Sequence, residues 1–248
     1  MILKNKVAVV TGAGSGIGEA IALLFAKQGA KVIAADILLP NVEEVAKQAE
    51  QDMIYPVKAD VSKEEDVRQM IEAATTQFGG LHILVNNAGI MDKMTPAHEL
   101  TDDLWEKVLA VNVTGPMRAI RQALPIFMEQ KEGCIINVAS IGGIAGSRAG
   151  VAYTSSKHAV IGMTKNIGFQ YSKLGIRCNA IAPGGVKTNI DLSDPSAFGS
   201  QKTAEGMASV PRIGESSEIA QVALFLASDA SSFVNGSVIT ADAGWTAY

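Results

Sequence analysis

The sequence predicts one α/β domain: a doubly wound parallel sheet of seven strands with helices on both faces. Three observations carry that expectation. Short apolar runs alternate with amphipathic stretches along the chain, the pattern of strand–helix–strand crossovers. A glycine-rich turn, Thr11 to Gly18, separates the first apolar run from the first amphipathic stretch. No linker, repeat or shift in composition marks a second unit, so residues 1–248 read as a single domain, long enough to bury a sizeable core.

Val7-Ala8-Val9-Val10 has no polar position, as a strand covered on both faces requires. Ile17, Ile21, Leu24 and Phe25 then follow the helical period, and Gly29 closes that helix. Lys31 to Ala35 form a second strand ending at Asp36. Asn41 and Glu44, in Pro40-Asn41-Val42-Glu43-Glu44, have capping-box spacing at the start of the next helix. Met53 to Lys58 read as strand three, ending at Asp60-Val61, after which Ser62 and Glu65 cap a helix to Gln77. Leu81 to Val85 make strand four. A long helix begins near Thr101, with Asp102 and Asp103 in the first turn, where the helix dipole favours them. Cys134 to Val138 form strand five, and the helix carrying Tyr153 ends near Gly175. Ile176 to Ile181 form strand six, broken by Pro183-Gly184-Gly185, and the polar segment 189–215 has the composition of a lid. Ile219, Val222 and Leu226 mark a last helix, and Val238 to Thr240 the seventh strand.

Composition excludes several functions. The net charge of −4 comes with no basic run, which argues against nucleic acid as a partner. Cys134 and Cys178 lie inside strand-like runs and read as reduced, buried thiols, and no Cys/His spacing resembles a metal site. No apolar stretch reaches the ~20 residues of a membrane helix, and the N-terminus has no signal-peptide core. A soluble, cytoplasmic protein is expected.

Glycines in the first strand-to-helix turn let backbone N–H groups approach a pyrophosphate, and a helix N-terminus adds partial positive charge. The spacing is Thr-Gly-x-x-x-Gly-x-Gly through Thr11, Gly12, Gly16 and Gly18, with Ser15 and Ile17 in the same turn. Asp36, eighteen residues past Gly18 at a strand end, can accept bonds from both adenosine-ribose hydroxyls. It would repel a 2′-phosphate, and neither Ser15 nor Ile37 supplies a cation to hold one, so NAD is expected over NADP. A solvated strand-end aspartate is the bland alternative.

Tyr153 and Lys157 are spaced i, i+4, on one helical face. A nearby ammonium favours phenolate, which would bring a phenol of ordinary pKa about 10 towards useful acid–base work. Ser140 stands thirteen residues before Tyr153, at a strand end. Pro116 lies four residues after Asn112 and has no N–H, so in a helix the Asn112 carbonyl is freed and a kink is expected. That carbonyl could hold a water joining Lys157 to solvent. His158 points about 100° away from Lys157 around the helix and reads as surface.

Thr11-Gly12-x-x-x-Gly16-x-Gly18, Asp60-Val61, Asn86-Asn87-Ala88-Gly89, Asn112, Ser140, Tyr153-x-x-x-Lys157 and Pro183-Gly184 stand in the order and spacing of the short-chain dehydrogenase/reductase family. The resemblance runs from Val7 to Trp245 and is strongest to tetrameric bacterial members of the glucose-dehydrogenase and 3-oxoacyl-reductase kinds. It implies a Rossmann-type fold and a homotetramer. It also implies that Gly12, Gly16 and Gly18 line a pyrophosphate turn, that Asp60 and Val61 flank adenine, and that Asn87, Ala88 and Gly89 lie beside the cofactor. By the same resemblance Ser140 positions the substrate oxygen and Tyr153 exchanges the proton. Lys157 holds the nicotinamide ribose and lowers the tyrosine pKa. In the Pro183-Gly184-Gly185-Val186-Lys187-Thr188 segment, Thr188 bonds the carboxamide.

Substrate walls are expected from Ile90 and Met91, from Ile141 to Ala145, from Gly184-Gly185 and from the lid. Much of this is apolar, which suits a small alcohol, ketone or polyol. The alternative is reduction of a 3-oxoacyl group on a carrier protein or coenzyme A. Glu129-Gln130-Lys131-Glu132 is not the basic patch an acidic carrier would seek. A non-catalytic NAD-binding regulator is the remote alternative, opposed by the intact Asn112, Ser140, Tyr153 and Lys157.

Overall fold

The first apolar run becomes β1 (Val7–Thr11), wholly buried in the computed structural model, which describes residues 1–207 and 209–247. It is joined by β2 (Lys31–Asp36), β3 (Ile54–Lys58), β4 (Ile83–Asn86), β5 (Gly133–Val138), β6 (Ile176–Pro183) and β7 (Val238–Ala241). All pairings are parallel, in the order β3-β2-β1-β4-β5-β6-β7. The chain winds outward from β1 to β3, returns to the other side of β1 at β4, and winds outward again. The crevice beyond the carboxyl ends of β1 and β4 is therefore the switch point where such sheets take ligands.

Alternate strand residues face opposite sides. Ala8, Val10, Val32 and Val85 pack with Ile21 and Phe25 of α1 (Gly16–Lys27) and with Ile219 and Leu226 of α8 (Ser216–Ala227). On the other face Val9, Ile33 and Leu84 meet Val67 and Met70 of α3 (Glu64–Phe78) and Ile120 and Phe127 of α5 (Gly115–Gln130). Each fully buried aliphatic or phenyl group contributes roughly 1.5–3 kcal/mol, so both layers hold the sheet in register.

Helix ends differ from two expectations. The helix α2 (Leu39–Lys47) starts before Asn41, with Pro40 in its first turn and Leu38 flanking it, and no side chain caps it. Lys63, not Ser62, precedes α3; the Ser62 hydroxyl donates to Asp60 Oδ1 at 2.6 Å, and Glu65 pairs with Arg68. In both places a nearer partner or a proline-preset turn outcompetes the capping box. Thr101 does cap α4 (Asp102–Leu109), accepting from the Leu104 N–H at 3.3 Å.

The helical path from α4 to α5 passes through a π-helical turn at Ala110–Thr114, immediately before Pro116. The missing proline N–H thus coincides with a wider turn. Catalytic candidates Tyr153 and Lys157 sit on α6 (Val151–Gln170). The segment expected as a lid is not irregular throughout, since it holds α7 (Ala197–Met207). Its neck is closed where the Lys187 N–H donates to Gly214 O at 3.0 Å and the Gly214 N–H to Gly185 O at 2.8 Å. Ala208 of the expected lid and Tyr248 at the domain end lie outside the described residues. Among the described residues no helix is long and apolar enough to cross a membrane, and no cluster of metal-ligating side chains forms.

Candidate active site

A cleft of about 500 Å³ opens at the switch point. Its floor is the turn after β1. Gly12 (φ +62°) and Gly16 (φ +59°) adopt the left-handed region that favours glycine. Gly18 does not line the cleft: it lies under the turn, where a Cβ would sit 2.1 Å from the Gly12 carbonyl oxygen. Ser15 flanks α1 in an extended conformation and makes no side-chain cap, so no hydroxyl occupies the helix's first N–H groups. The Thr11 hydroxyl accepts from the Asn87 and Ala88 N–H groups, both at 3.0 Å, and Asn87 Nδ2 donates to Thr11 O at 3.0 Å. These bonds lock the turn to the end of β4 and leave Ala88 and Gly89 along the cleft wall.

Asp36 stands at the rim, its carboxylate accepting from Gly14 N and Leu38 N at 3.0 Å each. Asp60 and Val61 line the same end. Asp60 Oδ1 is engaged by Ser62, and a Cβ on Gly115 would lie 3.0 Å from the Val61 side chain, so the start of α5 presses Val61 into place. Opposite, Ile17, Pro183, Gly184, Val186 and Thr188 close the wall. Thr188 arches over the glycine turn, its Cβ 3.2 Å from where a Gly16 Cβ would be.

Further along the cleft Ser140, Tyr153 and Lys157 converge. Ser140 Oγ accepts from the Gly142 N–H at 3.0 Å, and a Cβ on Gly142 would lie 3.4 Å from that oxygen and 3.6 Å from Tyr153 Cε1. Lys157, only 4% exposed, donates from Nζ to Val138 O at 2.9 Å and lies 5.5 Å from the Tyr153 ring centroid. Asn112 does not line the cleft. Its amide clamps Ile90, accepting from the N–H at 2.9 Å and donating to the carbonyl at 3.0 Å, and also donates to Ser156 Oγ at 3.1 Å. It braces the loop after β4 against α6. His158 is exposed, as its helical position implies.

The electrostatics reverse one expectation. Tyr153 is not pulled down by Lys157 in this chain: burial pushes its phenol up to about 12, helped by the Asp92 carboxylate and opposed by the Ser140 hydroxyl. Burial also pulls Lys157 down to about 8. Removing charge from water outweighs attraction across the gap, because Nζ is directed at Val138 O rather than at the phenol.

The sequence model described as enoyl-(acyl carrier protein) reductase matches residues 12–246. The 3beta-hydroxysteroid dehydrogenase 2 of Eggerthella lenta is 45% identical over 255 residues, spanning 100% of this chain and 97% of that protein. The 3-oxoacyl-[acyl-carrier-protein] reductase FabG of Thermotoga maritima is 38% identical over 246 residues, 98% of this chain and 99% of that one. The crystal structure of levodione reductase superposes with a TM-score of 0.91 at 36% identity, covering 99% of this chain and 100% of that one. The chain belongs to the short-chain dehydrogenase/reductase family.

It is accordingly an oxidoreductase that uses a nicotinamide cofactor. The residues present fit such a group: a glycine cradle that a Cβ would fill, an uncapped helix start for phosphate, and a rim carboxylate for ribose hydroxyls. Two residues of this dehydrogenase/reductase escaped sequence reasoning. Asp92 is fully buried, and its carboxylate accepts from Gly150 N at 3.0 Å and Tyr153 N at 2.8 Å, fixing the first turn of α6 from outside the helix. A charged residue three positions past Gly89, beside apolar neighbours, was the available signal. Arg148 lines the cleft with its guanidinium over the Trp245 ring, 4.6 Å from Cζ to centroid. Only the fold brings those two together.

Proposed function

We propose that this chain is an NAD-dependent dehydrogenase that interconverts a secondary alcohol and its ketone. The observation that carries the proposal is the convergence of Ser140, Tyr153 and Lys157 on one cleft continuous with the glycine turn and Asp36. When bound, the nicotinamide supplies or accepts the hydride. Tyr153 then gives its phenolic proton to the carbonyl oxygen as a ketone is reduced, and takes the hydroxyl proton in the reverse direction. Ser140 orients that oxygen by hydrogen bonding. Lys157 holds the ribose, and its charge opposes burial at the phenol. Asp36 supports NAD over NADP, because a 2′-phosphate there would face a carboxylate.

The three relatives are named for a hydroxysteroid, a 3-oxoacyl carrier and levodione, all ketone or alcohol chemistry. The FabG likeness keeps 3-oxoacyl reduction as the second reading. A homotetramer is supported by apolar side chains left exposed on α5 and α6, including Met128 at 45% and Phe169 at 84%. A cytoplasmic setting agrees with two buried, unpaired thiols, of which Cys134 is pushed up to about 11 by burial. The test follows NADH absorbance across secondary alcohols, polyols, cyclic ketones and an acyl thioester, with wild type and Tyr153→Phe. Turnover lost in the variant with NAD binding retained is expected. Undiminished turnover in the variant refutes the role of Tyr153.

A further inference from the structure

We infer that the substrate carries a carboxylate, or a similar planar oxyanion, and that Arg148 receives it. The inference rests on the hydride-transfer reading of the Tyr153 site and names the substrate class of that same cleft. Arg148 leaves the loop before α6 with its Cβ 3.7 Å from where a Gly142 Cβ would be, a position that is also 3.4 Å from Ser140 Oγ and 3.6 Å from Tyr153 Cε1. Its guanidinium is held in place. One face lies on Trp245, whose indole N–H donates to Gly206 O at 3.2 Å and to Ser209 Oγ at 3.1 Å. Nη1 abuts the end of α7, 2.2 Å from where a Gly206 Cβ would be.

Among the described residues the fixed cation lacks a counter-charge. Arg68, Arg118, Arg121 and Arg212 each meet a glutamate, and Arg177 donates to the Leu226 carbonyl at 2.8 Å. Arg148 forms no ion pair among the described residues, and its Nε is buried without a hydrogen-bond partner there. A planar fork pinned by an aromatic face matches a carboxylate in two parallel bonds. The remaining wall is apolar, from Ile90, Met91, Met94, Ile141, Leu192 and Met207. The best-matched substrate is thus an oxo or hydroxy acid with an apolar body.

The test compares levulinate and a ring-carboxylated cyclohexanone with their methyl esters, in the presence of NADH, for wild type, Arg148→Gln and Arg148→Lys. Wild type should favour each acid over its ester by about tenfold or more in kcat/KM, the scale of a charged hydrogen bond. Arg148→Gln should erase that ratio through KM for the acid while leaving the ester's kcat/KM within a few-fold, and Arg148→Lys should restore part of it. A second readout needs no turnover: in a Trp105→Phe background, cyclohexanecarboxylate should perturb Trp245 fluorescence saturably, and Arg148→Gln should abolish the response. Turnover without acid preference and without a fluorescence response overturns the anion site while leaving the hydride-transfer reading intact. A saturable response with no turnover of any ketone supports the anion site and removes that reading. Equal losses on acid and ester in Arg148→Gln, with lowered thermal stability, mean that Arg148 only pins α7, and the inference fails.

Discussion

Replacing Lys157 by methionine should stabilise the cofactor-free protein at neutral pH while destroying its activity. Lys157 is 4% exposed, and burial lowers its pKa from 10.5 to about 8. At roughly 1.36 kcal/mol per unit, keeping that lysine charged in the folded state costs about 3 kcal/mol below pH 8. The folded state binds fewer protons than the unfolded state between pH 8 and 10.5, so wild-type stability rises through that window. Methionine has similar length and no charge, but it forfeits the bond from Nζ to Val138 O and leaves that carbonyl unpaired, a loss of about 1–2 kcal/mol. The net expectation is a gain of about 1–2 kcal/mol at pH 7, changing to a deficit of similar size near pH 10.5. Urea unfolding of both proteins at one protein concentration, from pH 7 to 10.5, reads the difference directly. Tyr153 titrates higher, towards 12, and is common to both proteins. A difference that stays flat across this range would refute the claim that burial destabilises the Lys157 charge.

Two further variants address the flanks of the site. Asp36→Ala with Ile37→Arg replaces the rim carboxylate by a cation on the adjacent exposed residue; the ratio of kcat/KM for NAD over NADP should fall by about tenfold or more, and an unchanged ratio refutes Asp36 as the selector. Asp92→Asn keeps one acceptor but turns an amide towards a buried N–H, which should cost about 1–3 kcal/mol in a thermal or urea melt. The same change removes a negative charge that raises the Tyr153 pKa, so the pH at which alcohol oxidation becomes half-maximal should move down. A profile that stays put or moves up contradicts the electrostatic role.

The sheet was legible because buried parallel strands must be apolar and crossovers must be amphipathic; both patterns survive in a single sequence. All seven strands fall where the runs predict, within a residue or two. The irregular turn before Pro116 was legible for a different reason, since a missing N–H is a local, covalent fact. The caps at Asn41 and Ser62 failed because spacing says nothing about competing partners: Asp60 takes the Ser62 hydroxyl, and Pro40 starts α2 early. The helix α7 was hidden because its residues include glycine, serine and threonine and only Gly199 and Thr203 are buried. Motif spacing gathered Ser140, Tyr153, Lys157 and the glycine turn into one cleft, but it did not show that Gly18 lies under the turn or that the Asn112 side chain clamps Ile90. Both hold the cleft in shape from behind, a role that depends on close approach in three dimensions. Arg148 and Trp245 are 97 positions apart, and no local pattern joins them.

The upward shift of the Tyr153 phenol bears on the direction of the chemistry. A lysine one helical turn away suggested a phenol already inclined to ionise. The folded chain instead holds a phenol near 12 beside an ammonium near 8, both displaced towards neutrality by burial. In that state Tyr153 is protonated at pH 7 and can donate to a ketone oxygen with no prior ionisation. Alcohol oxidation needs the opposite starting state, and Lys157 cannot supply it alone while Nζ is bonded to Val138 O. A bound oxidised nicotinamide, being positive, would favour the Tyr153 phenolate that alcohol oxidation needs, whereas the neutral reduced form would leave the phenol that ketone reduction needs.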